Sequence, residues 1–168
     1  MMYRNLIAFP LLALVVIVQT TVISRMTLLS GYADLMLVVL AAWALKADAS
    51  IAWLWAILGG VMISFVSNIP WPVPIIGYLF VVLLAQLLRR RVWQAPLLAV
   101  FSVIFIGALS MNVLAVILLN FLGTPLPIGD SLGLIVLPST LLNLLFAVPV
   151  YLIMRDIANW VSPVQEVE

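Results

Sequence analysis

The chain has no cysteine and no histidine, and only 8% of its 168 residues are charged. The first two absences exclude disulfides, thiol nucleophiles, imidazole acid–base chemistry and the commonest metal ligands. The third excludes an ordinary soluble domain, in which about a quarter of the residues carry charge. Six acidic and seven basic residues leave a net charge of +1, which carries no argument for nucleic acid as a partner. What is present is apolar: 67% of the residues, with a mean hydropathy of +1.34. Water is not the solvent of such a chain. Any function has to come from intramembrane surfaces, short loops and partners.

Charges, prolines and glycines divide the chain into six apolar segments, expected as helices over 6–24, 34–45, 50–66, 73–88, 93–120 and 132–158. A bilayer core of about 30 Å needs roughly 20 helical residues. The first, third and fourth segments fit with little tilt, and the last two are long enough to tilt or emerge. The second is short, and Gly31 interrupts it when it is counted from Leu28, so a spanning helix and a broken or re-entrant segment both remain open. The first segment is too long for the apolar part of a signal peptide, and no Ala-x-Ala site precedes Arg25, so it is read as a retained helix. The whole chain is expected to form one all-α transmembrane domain without an internal repeat. It ends in a polar tail, 162–168.

Six crossings with a cytoplasmic N-terminus put Arg4, Lys46, Arg89, Arg90, Arg91 and Arg155 inside, and Arg25, Asp34 and Asp130 outside. Six of seven basic residues then obey the positive-inside pattern. Both termini are expected to be cytoplasmic.

Asp34 is the acidic residue closest to membrane depth, where a charge costs at least ~2.5–3.5 kcal/mol and is a functional suspect by default. It also stands where an N-cap belongs, after Ser30-Gly31-Tyr32-Ala33 and before Leu35-Met36-Leu37. The cap is the preferred reading, because no acidic partner for a relay stands at matching depth on another helix. Pro70, Pro72 and Pro74 end the third helix and flank Trp71, which suits an interfacial hairpin or a ledge for a peptide. Arg89, Arg90 and Arg91, followed by Trp93, form the single charge cluster. They anchor the loop and attract anionic lipid at about 1 kcal/mol per residue, or dock an acidic cytoplasmic partner.

Neutral polar residues within the helices include Gln19, Thr20, Thr21, Gln86, Ser102, Ser110, Asn112 and Asn120. Packing is their default role, since interhelical hydrogen bonds average only ~0.6 kcal/mol. Gly59-Gly60 and Gly107-Ala108 allow close approach of neighbouring helices. In the last helix Ser139, Asn143, Phe146 and Val150 share one face, and Pro149 leaves the Leu145 carbonyl without its donor and predicts a kink. Lipid cannot satisfy Asn143, so this face is expected to meet protein, either within the chain or on a partner helix.

Two stretches resemble the rod shape-determining protein MreD family. One is Leu-Asn-Leu-Leu-Phe-Ala-x-Pro-x-Tyr at 142–151, which includes Asn143, Pro149 and Tyr151. The other is Ala-Asp-Leu-Met-Leu-Val-Val-Leu-Ala-Ala-Trp-Ala-Leu at 33–45. Gln19, Gly59-Gly60, the helix number and the Arg-rich exit of the fourth helix are similar to that family too. The resemblance implies a non-enzymatic component of the bacterial cytoplasmic membrane without a cofactor. It implies association with the single-helix protein MreC and a role in coupling MreB filaments to a rod-type peptidoglycan synthase. It further implies six transmembrane helices similar to the substrate-binding subunits of energy-coupling-factor vitamin transporters. Such a subunit is the main rival reading. It would need polar groups converging in the outer half, and helix one would carry an Ala-x-x-x-Ala seam, whereas this chain has Ala8 and Ala13. An intramembrane enzyme has no nucleophile–base pair or metal cluster to draw on.

Overall fold

A computed structural model describes residues 8–47, 49–89, 96–124 and 128–161. Arg4, Arg90, Arg91, Trp93 and the tail 162–168, which figure in the expectations above, lie outside them. The first helix, α1 (Ala8–Thr21), turns Ala8, Leu12 and Val15 inward at helical spacing. The hydroxyls of Thr20, Thr21 and Ser24 bond back to the Val16, Ile17 and Thr20 carbonyls, so the polar end of α1 is satisfied locally. A 3-10 turn, Ile23–Arg25, closes it.

A two-stranded hairpin follows, β1 (Thr27–Leu28) against β2 (Gly31–Tyr32), with Thr27 opposite Tyr32 and Leu28 opposite Gly31. Leu29 opens the two-residue turn at φ 55°, the left-handed region that glycine usually fills. The chain then enters α2 (Leu35–Ala44), and all ten of its residues are buried. A helix apolar on every side belongs in a core, and α2 packs against each of the other five helices. Its ten residues rise roughly 15 Å, about half of a ~30 Å hydrocarbon core. The second segment is thus a short central helix entered through a hairpin, and by itself it does not span.

Four long helices complete the bundle: α3 (Ala49–Val66), α4 (Pro72–Arg89), α5 (Pro96–Phe121) and α6 (Leu137–Val161). α3 stops at Val66, as the prolines require, and Pro72 and Pro74 occupy the first turn of α4, where no donor is needed. A short turn (Ile128–Ser131) and a π-helical segment (Leu132–Val136) lead into α6. α3 packs on α4, α4 on α5 and α5 on α6, with α1 against α3. A Cβ on Gly60 would lie 2.8 Å from the Ile75 Cα, and one on Gly107 would lie 2.5 Å from Val81 Cγ2, so both small residues admit α4 at close range.

Five helices are long and apolar enough to cross a membrane: α1 with its 3-10 extension, α3, α4, α5 and the continuous stretch Gly129–Trp160. Their outward faces carry Phe9, Leu14, Ile57, Leu83, Phe105, Leu145 and many other exposed large apolar side chains. Surface of that extent suits hydrocarbon and not water. The molecule has two distinct ends. One holds the hairpin and Arg25, and the other holds Lys46, Arg89 and Arg155.

Candidate functional site

Polar side chains from several helices converge inside the bundle where α2 begins. Asp34 caps α2 as expected, its Oδ1 accepting from the Leu37 N–H at 3.1 Å. It does more than cap. The Tyr78 hydroxyl, fully buried on α4, donates to both carboxylate oxygens, 2.9 Å from Oδ1 and 2.8 Å from Oδ2. The Asp34 N–H donates to Asn143 Oδ1 on α6 at 2.6 Å. Gln19 on α1 accepts from the Met36 N–H at 3.0 Å, and its side chain also hydrogen-bonds Asp34. Three of the helices around α2 therefore reach the same helix start.

Local chemistry explains why the network forms here. The first N–H groups of a helix have no intrahelical acceptor, and lipid offers none. Asp34 and Gln19 serve the donors of Leu37 and Met36, and Asn143 serves Asp34 itself. One residue pair further out, Ser139 Oγ accepts from the Tyr32 N–H at 3.1 Å. The hairpin is held against α6 so closely that a Cβ on Gly31 would lie 2.6 Å from the Ser139 N and 2.8 Å from the Ile135 carbonyl. The Ser30 N–H also donates to the Leu134 carbonyl within the π-helical segment.

Two cavities adjoin the network. A small one of about 30 Å³ touches Asp34, Tyr32, Gln19, Asn112 and Asn143, and Asp34 keeps part of its surface open to it. A larger one of about 300 Å³ lies towards the hairpin end, among Thr20, Ser24, Thr27, Ser67 and Asn68. Gln19, Tyr32, Ile63, Ser67 and Ile69 line both, so the two share a wall. Among the described residues, no basic side chain lines either cavity, and no group of three or more Asp or Glu side chains could hold a metal.

The other residues singled out from the sequence fall elsewhere. Trp71 is 69% exposed at the hairpin end, its carbonyl accepting from Ser64 Oγ at 2.9 Å. Arg89, expected to face lipid or a partner, turns back and donates to the Ala47 carbonyl. Gln86 donates to the Ala44 carbonyl at 2.8 Å, so these two α4 side chains serve the last carbonyls of α2. On α6, Ser139, Asn143, Val150 and Tyr151 are buried, and the covering is internal. α6 runs through Pro149 as one helix and Pro149 is exposed, so the proline side of α6 is not the side covered within the chain.

Tyr78 is the residue that sequence reasoning missed. A tyrosine well inside an apolar helix needs a partner for its hydroxyl, and that signal was legible. Which acceptor it meets depends on tertiary packing. No family model, curated protein or solved structure matches the chain.

Proposed function

We propose that this protein is a non-enzymatic membrane scaffold of the bacterial rod machinery, holding the membrane helix of an MreC-type partner. Through that partner it connects MreB filaments to the peptidoglycan synthase of elongation. One observation carries the reading. The two stretches that resemble the MreD family, 33–45 and 142–151, contain α2 and the middle of α6, and these pack together through the Asp34–Asn143 bond. Residues far apart in sequence that carry one resemblance thus make one structural unit. The polar groups of this unit point into the bundle, which leaves the apolar outer faces for a partner helix, as van der Waals association in lipid requires.

In this reading the chain lies in the cytoplasmic membrane with six membrane segments, α2 and its hairpin counting as one. The same reading carries the expectation of a fold like that of the substrate-binding subunits of energy-coupling-factor transporters. The end with Lys46, Arg89 and Arg155 faces the cytoplasm, as does each terminus. The test is depletion in a rod-shaped host. Rounding or widening of the cells is expected, whereas normal shape together with a specific vitamin-uptake defect rejects the scaffold and favours the transporter subunit.

A further inference from the structure

We propose that the paired cavities at the hairpin end form a binding site for a primary ammonium group, with Asp34 as its anion. The larger cavity holds the body of the ligand and the smaller one its head. The site does not depend on which protein the bundle holds.

The geometry runs from the wide space inward. The cavity of about 300 Å³ carries neutral polar groups from three elements: Thr20 and Ser24 from the α1 end, Thr27 and Tyr32 from the hairpin, and Ser67 and Asn68 after α3. Pockets that bind small molecules combine an apolar wall with a few convergent polar atoms, and Ile63, Val66 and Ile69 supply the wall. Behind it lies the space of about 30 Å³ beside Asp34. A volume of that size takes roughly one water-sized group, which an ammonium head matches.

Charge selects the head group. Asp34 Oδ1 is occupied by the Leu37 N–H and the Tyr78 hydroxyl. Oδ2 takes the same hydroxyl, Gln19 also reaches the carboxylate, and part of Asp34 remains open to the small cavity. Among the described residues, no Lys or Arg lines either space to supply a counter-charge. An anion would be repelled there, and a neutral ligand would leave the carboxylate without a counter-ion. A primary ammonium brings three donors for Asp34 Oδ2 and nearby oxygens such as Gln19 Oε1. Such a group arrives on a small soluble amine or on the headgroup of phosphatidylethanolamine.

The full-length protein in phosphatidylcholine nanodiscs, followed by tryptophan-detected thermal unfolding, provides the test. Titration with n-butylammonium should raise Tm saturably, while n-butanol and sodium chloride should not. Asp34→Asn should weaken the n-butylammonium response by about tenfold or more, the worth of one charge-assisted hydrogen bond. Thr20→Phe, which fills the outer cavity away from Asp34, should abolish the response and keep the ligand-free Tm. That second variant decides the matter if Asp34→Asn fails to fold. A Tm increase in phosphatidylethanolamine discs that Thr20→Phe removes, without a response to free amine, assigns the lipid headgroup as the source. Equal responses to n-butylammonium and n-butanol, a response to sodium alone, or a response that Thr20→Phe leaves intact would each overturn the site.

Discussion

The Asp34 N–H and Asn143 Oδ1 meet at 2.6 Å across 109 residues of sequence, joining the first residue of the central helix to the middle of α6. Asn143 is 1% exposed, so neither lipid nor water replaces it. Asn143→Leu should therefore strand the Asp34 donor and cost about 1–3 kcal/mol. Reversible unfolding in detergent measures the loss. Partner recovery per folded molecule should stay unchanged, because the bond is internal. A drop in recovery with unaltered stability would instead place a partner on this face.

Asp34 and Tyr78 should be coupled. Asparagine caps about as well as aspartate and still accepts from Tyr78, so Asp34→Asn should keep the fold close to wild type. Asp34→Leu removes the cap at about 0.5–2 kcal/mol and also leaves the Tyr78 hydroxyl unpaired in the core. Tyr78→Phe in the leucine background should then cost less than Tyr78→Phe alone. A double-mutant cycle measures this, and additive losses would show that the hydroxyl has another acceptor.

The sequence made much of this legible, and the shortfalls have identifiable causes. The stop at Val66 and the cap at Asp34 follow from proline and carboxylate chemistry within a few residues of each site. The close helix approaches at Gly60 and Gly107 follow from side-chain size. The hairpin did not follow, because Thr27, Leu28, Gly31 and Tyr32 have no alternating pattern, and Leu29 stands where a turn would call for glycine. Nor did the enclosure of α2, since an apolar run reads alike whether it spans lipid or sits surrounded by other helices. Tyr78 on Asp34 and Arg89 on Ala47 are pairings across 44 and 42 residues, respectively, which only packing specifies.

Gly31 fixes the hairpin to α6. Its missing Cβ would meet the backbone at Ser139 and Ile135, which cannot move aside as a flexible side chain would. Gly31→Ala should destabilise by about 1–3 kcal/mol through overpacking. Gly129→Ala, where a Cβ would meet nothing within 4 Å, is the control and should be near neutral in the same unfolding assay.

Orientation can be read in cells because the chain has no cysteine background. Gly129→Cys, at the hairpin end, should react with an impermeant thiol reagent in intact cells. Asn159→Cys, near the end of α6, should react only after permeabilisation. The reverse pattern would invert the molecule, and labelling of both would remove one crossing.

The claim that the bundle holds a partner's membrane helix is tested most directly by affinity purification of the full-length protein from its own membranes in mild detergent. The proteins that copurify are then identified and quantified per folded molecule. The account predicts a single-helix MreC-type protein in stoichiometric amount, retained in the Asn143→Leu variant. Recovery of the protein without such a partner, or with the energising subunits of a vitamin transporter in its place, would contradict it.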